Sequence, residues 1–183
     1  AQSPKVEGVD VFGKCLPASH VGGDFFQYFR GDGTLSLCTA DVTGHAMEAA
    51  IPVVMFDGIL DSQVEIAGTL HELFDRLNQS LCRKLTGHTS VCFVMVEFDL
   101  ATRTAYLANA GCPYPYHYRS ETGELAECQS EAYPLGVRPE SEYSVLKTRT
   151  HPGDYLVLCS DGIVEAENSK GEQFGFNSTS EIV

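Results

Sequence analysis

The second half of the sequence is a succession of short strand-like runs closed by tight turns, and this succession constrains the fold more than any other feature. The runs span Val91 to Asp99, Thr104 to Asn109, Tyr114 to Tyr118, Leu125 to Cys128, Tyr143 to Thr148 and Tyr155 to Ser160, with turns such as Ser120-Glu121-Thr122-Gly123 between them. Neighbours joined this tightly pair antiparallel, because a parallel pair needs a crossover of about a dozen residues or more. A further pair, Phe25 to Phe29 and Thr34 to Ala40, flanks Arg30-Gly31-Asp32-Gly33. Glycine there supplies the positive φ of a tight turn, so the pair reads as a hairpin that delivers Asp41 at its end. Two helices fall between the strand blocks. One is expected from about Ala46 to Leu60, where Pro52 removes a backbone donor and predicts a late or irregular start. The other is opened by Thr69-Leu70-His71-Glu72, a capping box, and carries Leu70, Leu73, Phe74, Leu77, Leu81 and Leu85 at helical spacing, a core stripe. The expected fold is therefore α+β, with antiparallel sheets flanked by helices; a doubly wound parallel sheet fits the pattern less well.

With 183 residues, 43% apolar and 20% charged, the chain suffices for one domain with a substantial core, and no repeat, low-complexity stretch or Pro/Ser linker divides it. Twelve basic against 25 acidic residues give a formal net charge of −13, which repels nucleic-acid phosphates and anionic lipid, so neither nucleic acid nor direct membrane binding is expected. The seven cysteines form an odd set without a C-x-x-C pair, and several lie in apolar runs such as Val91-Cys92-Phe93. They read as reduced core residues of a cytoplasmic protein. No apolar run approaches the ~20 residues of a membrane span, and no basic-then-apolar leader opens the chain; an upstream tether or sensor domain is left open.

Three aspartates lie next to glycine or within three residues of it at strand ends: Gly22-Gly23-Asp24, Asp41-Val42-Thr43-Gly44-His45, and Ser160-Asp161-Gly162. Taken singly, each is an ordinary turn with a capping carboxylate. Carboxylates at strand ends can also converge from distant sequence on a hard divalent cation, and Mg²⁺ or Mn²⁺ suits such oxygen ligands.

The joint order of these motifs and their flanks resembles one family. Val21-Gly22-Gly23-Asp24-Phe25-Phe26, Ala40 to His45, Asn109-Ala110-Gly111, Pro134-Leu135-Gly136-Val137, and Gly153-Asp154 running on to Ser160-Asp161-Gly162-Ile163-Val164-Glu165-Ala166 are similar to the successive signature blocks of the SpoIIE/RsbU-type, protein phosphatase 2C-like bacterial serine/threonine phosphatases. The resemblance implies an αββα sandwich of two antiparallel sheets between helical layers, with a two-metal cleft at one edge. It implies that Asp41 bridges both metals, that the Val42 carbonyl supplies a backbone ligand, that Asp24 holds the first metal through its water shell, and that Asp161 binds the second. Two cations can activate a water for attack on a phosphoryl group, so no nucleophilic side chain is required. Gly44 and His45 would shape the turn after Asp41, His45 in either a structural or a catalytic role. Cys112 stands where the family usually has histidine, and the sixth residue after it is not the arginine that a cysteine phosphatase would need. Glu165 and Asn168 are expected to fix a turn, and Lys14 is either a cleft-mouth cation or a solvated charge. Past Gly171-Glu172-Gln173-Phe174-Gly175 the family pattern continues into a further helix and a last strand with paired aspartates, which this sequence lacks.

The implied function is hydrolysis of phosphoserine or phosphothreonine on a phosphorylated protein, such as a STAS-type anti-sigma-factor antagonist, under an upstream sensor domain; a homodimer is left open. Two other readings stand beside it: a degenerate phosphatase fold acting as a binding or dimerisation module, and a metallohydrolase acting on nucleotides. The last lacks a glycine-rich phosphate loop or a base-stacking aromatic platform.

Overall fold

A computed structural model describes residues 3–16, 22–43, 47–85 and 89–183. Among the described residues, eight strands and four helices follow in the order β1 (Asp24–Arg30), β2 (Thr34–Val42), α1 (Met47–Val64), α2 (Leu70–Lys84), β3 (Val91–Asp99), β4 (Thr104–Ala110), β5 (Tyr116–Arg119), β6 (Glu124–Glu127), β7 (Leu146–Arg149), β8 (Tyr155–Val157), α3 (Asp161–Val164) and α4 (Gly175–Ile182). They build a five-stranded sheet, β1-β2-β3-β4-β7, and a three-stranded sheet, β6-β5-β8, with every pairing antiparallel. This is the expected α+β sandwich.

Period-two alternation decides what each face of the large sheet meets. Cys38, Ala40 and Val42 of β2, Val91, Phe93 and Met95 of β3, and Ala108 and Ala110 of β4 pack with Phe56 and Leu60 of α1 and with Leu70, Leu73, Phe74, Leu77 and Leu81 of α2. Each Leu or Phe so buried contributes roughly 1.5–3 kcal/mol. On the other face, Val96, Ala105 and Leu107 meet Leu156 of β8 together with Cys128 and Leu158, which directly follow β6 and β8 of the smaller sheet. Because Val42 points into the helix-side core, its neighbour Asp41 is on the inter-sheet side of β2.

The helix signals act as read, with adjustments. The Thr69 side chain accepts from the Glu72 amide at 3.1 Å, while the Glu72 carboxylate reaches back to the Gly68 amide, one residue before the cap. Helix α1 runs on to Val64, with Pro52 past its first turn at the cost of one intrahelical bond. The strand expected from Tyr143 begins instead at Leu146, since Tyr143 packs on α2, its ring 5.6 Å from Phe74 and its carbonyl 2.9 Å from His71 Nδ1. The strand expected to reach Ser160 ends at Val157: its partner β5 opens only at Tyr116, behind two prolines, Pro113 and Pro115, that offer no ladder donor. Helices α3 and α4 pack on each other after β8 and were not signalled by hydrophobic periodicity.

The loop from Ser130 to Pro139 is fixed to the large sheet and to α2. Leu135 exchanges both backbone hydrogen bonds with Val91, at 2.8 and 3.0 Å, and Asn78 binds the Gly136 amide and the Arg138 carbonyl. Gly136 has φ +87, and a Cβ there would press on Leu81 and Leu85. All seven cysteines are free; Cys38 and Cys159 are buried as expected, whereas Cys15 is exposed.

Candidate metal centre

Asp24 begins β1 and Asp41 nearly ends β2, and the hairpin register sets them directly opposite each other. Like charges in that position destabilise a sheet, so the pairing needs a compensating cation or proton. Asp161 comes from the far side of the sandwich, as the first residue of α3, just beyond β8. Each of the three offers a carboxylate oxygen, and those atoms lie within 4.8 Å of one another. At that separation two ionised carboxylates repel by roughly 3–4 kcal/mol at an effective dielectric near 20, less where water screens them. Among the described residues no salt bridge engages any of the three.

The electrostatics show the strain. Burial pushes the Asp41 carboxyl up to about 6, with further contributions from the charges of Asp24, Asp161 and Glu165. Burial and the Asp161 charge also raise Asp24, opposed by a hydrogen bond of 3.3 Å from the Ser160 hydroxyl to Asp24 Oδ2. Asp24 Oδ1 is withdrawn from solvent without a hydrogen-bond partner among the described residues. An orphaned carboxylate oxygen inside a trio of carboxylates is a place for a cation.

The backbone is shaped for the same purpose. Gly23 accepts from the Val42 amide at 3.2 Å, and its missing side chain matters: a Cβ would collide with the Val42 carbonyl oxygen and come within 2.8 Å of Asp41 Oδ1. The space beside that carbonyl stays open only because residue 23 is glycine. Two carboxylates, a third from across the sandwich and a backbone carbonyl form an all-oxygen donor set, the type that Mg²⁺ or Mn²⁺ takes. The residues present therefore fit such an ion.

A small recess next to the cluster is walled by Asp41, Asp161, Cys92 and Cys112. Cys92 stands opposite Asp41 in the β2–β3 register. Burial, and then neighbouring charges with Asp41 the nearest in effect, push the Cys92 thiol up to about 11, and burial raises Cys112 well above its ordinary range. Both are neutral thiols rather than thiolate nucleophiles. Asn109 holds Cys112 in place, its side chain accepting from the Cys112 amide at 2.9 Å and donating to the Cys112 carbonyl at 3.0 Å. Gly111, at φ +84, lies so close to Pro134 that a Cβ would stand 2.7 Å from its ring.

Other sequence candidates settle elsewhere. Asn168 fixes a turn, as expected, accepting from the amides of Lys170 and Glu172. Glu165, expected only to fix a turn, also contributes charge at Asp41. Lys14 is exposed beside Cys15, whose thiol approaches the Asp24 carbonyl at 3.8 Å. Val21, Gly44 and His45 lie outside the described residues. The sequence motifs left Asp154 without a role. Its carboxylate accepts from the amides of Ser120 and His151 at 2.9 Å each and from the Ser120 hydroxyl at 3.2 Å, and stands 3.2 Å from His117 Nε2. His117 Nδ1 is 3.3 Å from Thr148 Oγ1, so the network spans both sheets.

A family model described as Stage II sporulation protein E (SpoIIE) matches residues 31–183. The chain belongs to the SpoIIE family. It is 21% identical over 168 residues to the phosphoserine phosphatase RsbU of Bacillus subtilis (strain 168), covering 92% of this chain and 50% of RsbU, so it spans about half of that relative. Among solved structures, the SiaA-PP2C domain of Pseudomonas aeruginosa superposes with a TM-score of 0.77 at 20% identity, over 88% of this chain and 65% of that one. The catalytic domain of the serine/threonine protein phosphatase PstP, in complex with two manganese ions, superposes with a TM-score of 0.60 at 17% identity, over 84% of this chain and 77% of that one. At these identities the structural likeness is one of fold, and it places this SpoIIE-family chain among the PP2C-type sandwiches.

Proposed function

We propose that this SpoIIE-family chain is the catalytic domain of a metal-dependent protein serine/threonine phosphatase. The observation that carries the reading is the convergence of Asp24, Asp41 and Asp161 within 4.8 Å, with no cationic side chain of the described residues to offset them. Asp24, Asp41, Asp161 and the carbonyl of Val42 would hold Mn²⁺ or Mg²⁺. Asp41, which feels the charge of both other aspartates, is the one suited to serve two ions at once. When bound, the ions supply Lewis acidity toward water and a phosphoryl oxygen and neutralise charge that grows during displacement. The protein's own part is positional. Ser160 fixes the orientation of Asp24, Gly23 keeps the Val42 carbonyl approachable, and the Asn109 bracket holds the wall that faces Asp161.

The substrate in this reading is phosphoserine or phosphothreonine on a signalling protein such as a STAS-type anti-sigma-factor antagonist; the likeness to the phosphoserine phosphatase RsbU supports the phosphoserine part. An upstream sensor domain belongs to the same reading and rests on the family resemblance alone. A cytoplasmic setting accords with seven free cysteines, and no helix of the described residues is long and apolar enough to cross a membrane.

Hydrolysis of para-nitrophenyl phosphate and of a phosphoserine protein, with Mn²⁺ and with chelator, tests the reading. Activity that is indifferent to chelation and survives Asp41→Ala would remove its basis. Calorimetric titration with Mn²⁺ separates an enzyme from a degenerate binding module, which would take up no ion.

A further inference from the structure

The phosphatase chemistry accounts for the aspartate cluster but not for the large cavity beside it. That cavity is an open cleft of about 630 Å³ and shares Cys112 and Asp161 with the wall of the small recess at the cluster, so whatever occupies it lies next to the reacting phosphate. Three further carboxylates line it: Glu127 at the end of β6, Glu131 in the following loop, and Glu165 just past α3. Among the described residues none of the three is in a salt bridge. The polar partners of Glu127 and Glu131 are neutral: Gln129 donates to Glu127 at 3.1 Å and the Tyr114 hydroxyl to Glu131 at 3.4 Å. The cavity also has an apolar side, with Val164 buried and Phe176 left 55% exposed against it. Lining the same cavity is Ser130, only 8% exposed, whose hydroxyl has no hydrogen-bond partner among the described residues. A buried hydroxyl without a partner is costly unless a ligand supplies one.

From this combination we propose, building on the phosphatase reading, that the cavity is a specificity pocket for a lysine or arginine side chain of the substrate, flanking the phosphorylated serine or threonine. A long basic side chain matches both halves of the lining. Its methylene stem lies along Val164 and Phe176 while its head reaches Glu127 and Glu131, and a donor from the substrate segment satisfies Ser130. The overall charge of −13 works in the same direction, since an acidic flank would be repelled and a basic one steered in. Glu127 and Glu131 are then specificity residues, not catalytic ones, because they meet the flank and not the phosphate.

The test compares two phosphoserine peptides that differ only in one lysine or norleucine, placed within three residues of the phosphoserine, with para-nitrophenyl phosphate as a substrate that has no flank. With Mn²⁺, kcat/KM for the lysine peptide is expected to exceed that for the norleucine peptide roughly tenfold, mostly through KM, as expected for binding that is shared by ground and transition states. Glu127→Gln combined with Glu131→Gln should erase the difference while leaving para-nitrophenyl phosphate turnover unchanged, and Glu131→Lys should invert it. Equal rates on both peptides, or a preference that persists in the double variant, would overturn the pocket and leave the phosphatase reading intact. If para-nitrophenyl phosphate is not hydrolysed at all, the phosphatase reading fails, and fluorescence anisotropy of the same labelled peptides in Mn²⁺ still reads the pocket. Tighter binding of the lysine peptide, lost in the double variant, supports it; indifference refutes it.

Discussion

The Asp154 side chain is buried and Asp41 is half-buried in the same sandwich, and the protein treats them in opposite ways. At Asp154, whose side chain is only 4% exposed, burial alone would raise the carboxyl, but hydrogen bonds from His151, Ser120 and His117 outweigh it and hold it down at about 2. At Asp41 burial acts in the same sense, no donor of the described residues answers it, and three other carboxylates push further, to about 6. On the proposed function, the contrast separates a carboxylate that holds the fold from one that is held for a metal ion. Where the protein supplies the donors, the charge is structural; where it withholds them, the proposal has an ion supply what is missing.

The largest effect expected from this contrast is catalytic. Replacing Asp41 with Asn should lower Mn²⁺-dependent kcat/KM by about a thousandfold, since the several kcal/mol that a well-held ion supplies convert at 1.36 kcal/mol per factor of ten. A loss below tenfold in a phosphatase assay would mean that Asp41 is not central. Next in size, Asp154→Ala should destabilise the fold by about 3 kcal/mol in urea unfolding, because four polar groups lose their acceptor, while Mn²⁺ affinity of the folded protein stays as it was. Loss of metal binding without loss of stability would reverse the two roles. Gly23→Ala should weaken Mn²⁺ binding about tenfold by calorimetry, because the added methyl group occupies the approach to the Val42 carbonyl. Unchanged affinity would show that this carbonyl takes no part.

The smallest effect is a pH dependence whose sign follows from the raised Asp41. A carboxyl raised by folding favours the folded state fully below its unfolded value near 4, and that contribution disappears as pH rises through about 6. Metal-free protein should therefore lose roughly 2–4 °C of Tm between pH 4 and pH 6.5, a figure kept small because Asp41 is half-exposed and screened. Saturating Mn²⁺ or Asp41→Asn should remove the decline. The depressed Asp154 works in the other direction: its stabilisation is complete above about pH 4 and disappears as pH falls through about 2. A differential scanning series in which the metal-free protein gains stability through pH 6 would contradict the account of the cluster.

What could be read in the sequence was what is local. The Asp32-Gly33 turn, the capping threonine at 69 and the leucine stripe of α2 report on neighbours a few residues away, and the structure follows them. The aspartates were visible through nearby glycines, and of these Gly23 is tied to the cluster by its lack of a side chain. The rest depends on contacts between distant segments. Ser160 and Asp24 are 136 residues apart, and His117 meets Asp154 and Thr148 from separate strands. No spacing rule announces such partners. Tyr143 misled the strand assignment because an aromatic residue in a β-like run is equally suited to packing on α2. Ser130 and Glu131 gave no signal, since their place beside the cluster exists only once the two sheets have closed.

The hairpin at the start of the fold carries a last implication. Asp24 opposes Asp41 through the same ladder that closes at Gly31 and Thr34, where the Gly31 amide meets the Thr34 carbonyl at 3.0 Å. Because side chains alternate along β1, inserting a single residue into that remote loop, if the ladder re-forms one step out of phase, would turn Asp24 away from the inter-sheet edge without altering any ligand. The fidelity of a two-residue bend at the opposite end of the hairpin is thus a condition for chemistry at this one, and lesions there would mimic the loss of an aspartate.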